Sequence, residues 1–95
     1  MATFNNYAEK VSEAFDVPKE RIFTKTKVKR VSDARQSLYY LCHSKPMTMA
    51  YIRDHMKQNG YDVAHSSVQY GISQTKKRMQ EDESFKELSL IHISE

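Results

Sequence analysis

The chain has 95 residues, which limits it to one domain with a single compact core. Hydrophobic residues make up 39% and charged residues 28%, a balance typical of folded domains rather than disordered chains. With two glycines and two prolines, the sequence favours helices over a many-stranded sheet. No apolar run approaches the ~18 residues of a membrane span, and the single cysteine, Cys42, excludes an internal disulfide framework. We therefore expect a cytoplasmic protein.

Positive charge is concentrated in the middle of the chain, although the net charge is only +3. Residues 24–35 carry five basic side chains and one acidic one, and residues 36–80 carry six and two. Residues 81–95 reverse the balance, with one basic and five acidic side chains. Such a distribution indicates either an ordinary solvated surface or a binding site for a polyanion.

The first half of the chain predicts two helices. The first covers residues 3–15 and is capped by Thr3. Its apolar residues recur at three-and-four spacing: Phe4, Tyr7, Ala8, Val11, Ala14 and Phe15. A short helix follows from Pro18 to Phe23, because proline suits a first helical turn, and its Ile22 and Phe23 are predicted to pack inward.

Residues 24–31 have no helical apolar stripe and are predicted to form an exposed basic loop. The next helix is expected to begin at Ser32 and Asp33, which offer a side-chain acceptor and a first-turn acid. Its inward face would consist of Ala34, Leu38, Leu41 and Cys42. Lys45 and Pro46 would end it, because the residue before proline is disfavoured in the α region.

Two further helices are predicted, from Thr48 to Gln58 and from His65 to about Glu81. Asn59 and Gly60 are a good helix stop, and residues 60–63 form a turn. The inward stripes would be Met49, Ile52 and Met56 in the first helix, and Val68, Ile72, Thr75 and Met79 in the second. Tyr61 in the turn would either cover the core or touch the backbone of a bound nucleic acid.

Two helices joined by a turn, the second opening with slim polar side chains, are typical of a helix-turn-helix that binds DNA. The opening residues His65, Ser66, Ser67 and Gln69 suit entry into a major groove, where glutamine can pair with adenine. The basic residues Lys25, Lys27, Lys29 and Arg30 could bind phosphates or enter the minor groove. The alternative for the opening residues is a simple helix cap.

A family resemblance supports the DNA-binding interpretation. The stretches YAEKVSEAFDVPKERIF, KTKVKRVSDARQSLYYL, MAYIRDHM and AHSSVQYGI, in this order, resemble the C-terminal DNA-binding domain of the bacterial replication initiator DnaA. The resemblance implies an all-α bundle of four to five helices containing a helix-turn-helix, similar in fold to the Trp repressor. It implies a DNA-binding domain over residues 1–87, in a bacterial cell or a phage-infected host.

The resemblance also implies roles for particular residues. Lys27 falls where the family has an arginine that enters the minor groove, and Lys29, Arg35 and Gln36 fall at backbone-contacting positions. Thr48, Met49 and Ala50 match the start of the supporting helix, which approaches a phosphate. His65, Ser66 and Ser67 would face DNA, and Val68 would face the core.

This sequence departs from the family pattern at four points. Ala64 stands where the family has an acidic base-reading residue, and Lys27 lacks the planar fork of arginine. Serines replace threonines at 66 and 67, and the turn around residues 59–62 is longer. The family's target sequence is therefore not implied, and sequence-specific binding stays open. Because no phosphate-loop motif occurs in the sequence, we expect the protein to bind no nucleotide. It would then act by occupying, competing for or marking a DNA site.

The last eight residues, LSLIHISE, resemble the conceptual translation of a sequencing adapter. Residues 88–95 are therefore expected to be a non-native tail, the alternative being an apolar tail that docks on the core. They are excluded from the functional reasoning.

An enzyme is not expected. Cys42 and His43 are adjacent and diverge on a helix, and His55 and His65 lack a third ligand at metal spacing. Cys42 is expected to be a small core residue. No cofactor is predicted, and a monomer is expected. The alternative function is a small protein-interaction module that uses the tyrosines, which are enriched at interfaces: Tyr7, Tyr39, Tyr40, Tyr51, Tyr61 and Tyr70.

Overall fold

The structure is a computed structural model that describes residues 4–45 and 47–81. Those residues form α1 (Phe4–Phe15), α2 (Lys19–Ile22), α3 (Lys29–Ser44), α4 (Met49–Gln58) and α5 (His65–Glu81). No strand occurs in the two ranges, so the predicted small all-α bundle is confirmed. The predictions for Thr3, Pro46 and residues 88–95 concern positions outside the described ranges.

Helix α3 is the centre of the bundle and contacts each of the other four helices. The face predicted to point inward is confirmed, since its four side chains are at most 3% exposed: Ala34, Leu38, Leu41 and Cys42. Full burial of a leucine-sized side chain contributes roughly 1.5–3 kcal/mol. The position of α3 is therefore fixed on several sides, and the other helices are placed relative to it.

The start of α3 differs from the prediction. The helix begins at Lys29, not at Ser32, and the first bond of its ladder runs from the Ser32 amide to the Val28 carbonyl at 3.1 Å. The cause is Val31, which is 4% exposed and lies one turn before Ala34 on the buried face. Burying this valine outweighs the cost of basic side chains at the positive end of a helix, which is below ~1 kcal/mol for exposed groups.

The first two helices match their predicted positions closely. In α1 the apolar stripe is buried: Phe4, Tyr7, Ala8, Val11 and Phe15. The helix stops at Asp16, whose φ of 55° lies in the left-handed region. Pro18 precedes α2, and both Ile22 and Phe23 are buried as expected. Helix α2 contacts α3 and lies just before residues 24–31, the predicted basic loop.

Candidate nucleic-acid interface

Helices α4 and α5 form the predicted pair, joined by residues 59–64. Thr48 caps α4, since its hydroxyl oxygen accepts a hydrogen bond from the Tyr51 amide at 3.1 Å. At the other end, Gly60 has a φ of +92° and turns the chain away, as predicted. The side chains that join the two helices are fully buried: Ile52, Met56 and Val68. Helix α5 packs mainly against α3 and also contacts α4, so both helices hold it in place.

The long turn between the helices is held by specific contacts. Arg53 Nε donates to the Val63 carbonyl at 3.1 Å, and the Tyr61 amide donates to the Met56 carbonyl at 2.9 Å. Val63 is 8% exposed, and the half-buried ring of Tyr61 packs against the core. Of the two alternatives for Tyr61, covering the core is the one that the structure has.

The opening turn of α5 faces solvent. Four predicted DNA-binding side chains are exposed there: His65, Ser66, Ser67 and Gln69. The cap position belongs to Ala64, whose carbonyl accepts from the amides of Ser67 and Val68 at 3.1 and 3.2 Å. Because Ala64 has no side-chain acceptor, these amides are satisfied by a backbone carbonyl and not by a capping side chain.

Sequence reasoning missed Tyr70 as part of this face. Its side chain is 60% exposed, and it lies one turn after Ser66 on the same side of α5. The spacing of four residues was the available signal. Tyr70 extends the exposed face of α5 with an aromatic ring.

The basic segment, defined as Lys25, Lys27, Lys29 and Arg30, is exposed along its whole length. Lys25 and Lys27 lie in the loop before α3, and Lys29 and Arg30 lie in its first turn. Lys29 Nζ lies 3.6 Å from Asp33 Oδ1, but the lysine side chain remains 78% exposed. The segment therefore displays its positive charges to solvent.

Arg35 is not displayed in this way. It is 8% exposed, and its Nε and Nη2 donate to the carbonyls of Ile22 and Thr24 at 2.8 and 2.7 Å. Its guanidinium lies 4.4 Å from the centroid of the Tyr61 ring. The resemblance placed Arg35 among the backbone-contacting residues, whereas here its donors are used inside the fold. Arg35 therefore acts inside the fold, although its side chain also lines the groove described next.

An open groove of about 610 Å³ lies between α3, the turn and the start of α5. It brings together five of the predicted residues: Lys25, Arg35, Gln36, Ser66 and Ser67. Asp62 also lines it and is the acidic member of the lining. The other eight predicted residues are not part of its lining: Lys27, Lys29, Arg30, Thr48, Met49, Ala50, His65 and Gln69.

A second contact between α3 and α5 escaped the sequence reasoning. Asp33 accepts a hydrogen bond and ion pair from Arg78 Nη1, near the far end of α5. The Asp33 side chain is 16% exposed, so the pair is shielded from solvent. The sequence pattern predicted Asp33 at the start of a helix and did not include Arg78 in the inward stripe of α5. The pair instead fixes α5 against α3.

Two buried groups have altered acidity. Burial raises the pKa of the Tyr39 hydroxyl well above its ordinary value, and the nearby Tyr61 raises it further. Burial also raises the pKa of the Cys42 thiol to about 12. Both groups therefore stay protonated at neutral pH, and Cys42 lies in the core as predicted.

Residues 4–45 and 47–81 contain no group of three histidine, cysteine, aspartate or glutamate side chains placed to hold a metal ion. None of the helices in these ranges is long and apolar enough to cross a membrane. No protein-family model matches the chain, and no curated protein matches it significantly.

Proposed function

We propose that the chain binds double-stranded DNA as a helix-turn-helix module, in the control of replication or transcription. The observation that carries the proposal is that Lys25 lines the same groove as Ser66 and Ser67, at the exposed opening of α5. A major groove admits one helix, and cations beside that helix can bind the flanking phosphates.

The opening turn of α5 and the basic segment have different roles in the proposed complex. The side chains of His65, Ser66 and Gln69 face base edges, where glutamine discriminates adenine and serine discriminates less. The basic segment contacts the backbone or the adjacent minor groove, which positions the module without reading sequence. The carboxylate of Asp62 disfavours a phosphate close to its side of the groove, so the backbone passes on the Lys25 side.

Salt dependence tests the basic segment. Each lysine–phosphate contact adds about 0.9 to the slope of log binding constant against log salt. The double variant Lys27→Ala, Lys29→Ala should therefore weaken binding to every duplex and reduce the slope by up to about 2 in a gel-shift titration. Lys57→Ala is the matched control, because this lysine is exposed at the end of α4, outside the proposed interface. Equal slopes in all three proteins would contradict the docking of the basic segment.

Selection from a random duplex pool tests the reading face. His65→Ala should change which sequences are enriched while leaving the salt slope unchanged, since the side chain is proposed to contact base edges and not phosphates. Gln58→Ala, exposed in α4, serves as the control. Enrichment of the same sequences by the wild type and His65→Ala would remove His65 from the reading face.

The alternative is a protein-interaction module based on tyrosines, and burial reduces the number of tyrosines that could contact a partner protein. Tyr7 and Tyr39 belong to the core, and Tyr51 and Tyr70 are 41% and 60% exposed on different helices. No duplex binding at low salt, where phosphate contacts are strongest, would favour this alternative.

A further inference from the structure

The segments proposed to contact DNA are joined inside the fold by one side chain. We infer that Arg35 is a positioning residue that sets the spacing between the basic segment and the opening turn of α5. This inference rests on the proposed function. The unit consists of the Arg35 guanidinium, the carbonyls of Ile22 and Thr24, and the Tyr61 ring, and is called the Arg35 bracket.

On one side the bracket holds the chain that leads into the basic segment. Arg35 Nε and Nη2 donate to Ile22 and Thr24 at 2.8 and 2.7 Å, and Lys25 follows directly. Hydrogen bonds from a charged, largely buried donor are stronger than neutral ones, and a buried guanidinium without them would be costly. The path of the chain just before Lys25 is therefore fixed by α3.

On the other side the bracket holds the turn before α5. The guanidinium lies 4.4 Å from the centroid of the Tyr61 ring, which is a cation–π distance. The Tyr61 amide also donates a hydrogen bond to the Met56 carbonyl. Tyr61 is therefore held through its backbone by α4 and through its ring by Arg35. Tyr61 precedes Ser66 by five residues, and both line the same groove.

A two-part DNA surface gains affinity when its parts are held at the right spacing before binding. The second contact is then effectively intramolecular, and less conformational entropy is lost on binding. Loosening the bracket at Tyr61 should weaken binding without removing any cation of the basic segment. Lysine cannot replace Arg35, because one ammonium cannot reproduce the planar fork that reaches two carbonyls and stacks on a ring.

Amide hydrogen exchange without DNA tests the coupling directly. Tyr61→Leu removes the ring at the turn, and Tyr61→Phe keeps it. If the bracket couples the two segments, Tyr61→Leu should raise the exchange rates of residues 23–28 about tenfold, while α1 is unchanged and Tyr61→Phe resembles the wild type. Arg35→Lys should raise exchange in both segments. If Arg35→Lys does not fold, the Tyr61 pair still decides the matter.

Binding measurements provide the second arm, with the duplex enriched from a random pool or, if none is enriched, with the pool itself. Tyr61→Leu should lower affinity about tenfold at an unchanged salt slope, since no phosphate contact is lost. Unchanged exchange in residues 23–28, or unchanged affinity alongside raised exchange, overturns the positioning role. If the wild type binds no duplex, the proposed function fails, and the exchange arm alone confirms or overturns the bracket.

Discussion

Helix α5 approaches α3 closely at Gly71, and this contact gives a prediction that opposes simple helix propensity. A Cβ atom at this position would lie 2.7 Å from Tyr39 Cδ2 and 3.3 Å from Gln36 Cγ. Alanine in a helix interior normally stabilises by about 1 kcal/mol relative to glycine. Here the added methyl must displace the Tyr39 ring, which is 3% exposed and enclosed by the core.

Neither way of relieving this contact is cheap. Rotating the Tyr39 ring disturbs a packed interior, and moving α5 away strains the pair between Asp33 and Arg78. Overpacking of this kind costs about 1–3 kcal/mol, which exceeds the propensity gain at its centre. We therefore expect Gly71→Ala to lower the free energy of unfolding by about 1 kcal/mol.

Urea unfolding followed by far-ultraviolet circular dichroism measures this change. The matched control is Ser73→Ala, an exposed position of the same helix, which should change stability little or slightly increase it. In a Tyr39→Leu background the Gly71→Ala substitution should cost less, because the ring that it meets is gone. Stabilisation by about 1 kcal/mol in the wild-type background would refute the close approach of α3 and α5 at this point.

Three further substitutions test other parts of the fold. Thr48→Ala removes the α4 cap and should lower the free energy of unfolding by about 1 kcal/mol in urea titrations. Gly60→Ala meets no atom within 4 Å but forces a φ of +92°, so it should cost about 1 kcal/mol through the backbone alone in the same assay. Burial raises the pKa of Cys42 from 9.0 to about 12, so stability should hold below pH 9 and fall above it. Cys42 should contribute roughly 1.4 kcal/mol per pH unit to this fall, and Cys42→Ala should remove that contribution and leave the one from Tyr39, whose ordinary pKa is 10.0.

Local patterns were sufficient to predict the helices. Thr48 caps α4 and Gly60 follows its end because these residue types satisfy helix ends through their own geometry. The buried face of α3 followed from apolar spacing alone, since Ala34, Leu38 and Cys42 repeat at helical intervals. In such cases the deciding interactions are within a few residues of one another.

The errors and omissions in the fold depend on contacts distant in sequence. Val31 extends α3 by a turn because it reaches the core. Arg78, which is outside the predicted inward stripe of α5, is part-buried because it pairs with Asp33, 45 residues away. Tyr39, which the sequence did not place on the inward face of α3, is buried where α5 crosses at Gly71. No periodicity within one segment reveals which helices cross or where.

Contacts distant in sequence also explain why a count of basic residues overstates the positive charge available for the proposed DNA contact. Arg35 spends its donors on two carbonyls and a ring, and Arg78 pairs with Asp33, so both arginines act in the frame of the module. The lysines Lys25 and Lys27 lie exposed in the loop. Arginine is the better choice for the frame because its planar fork holds several partners at once, while lysine suits a mobile phosphate contact. The division places the rigid cations inside and the adaptable ones at the surface where DNA would dock.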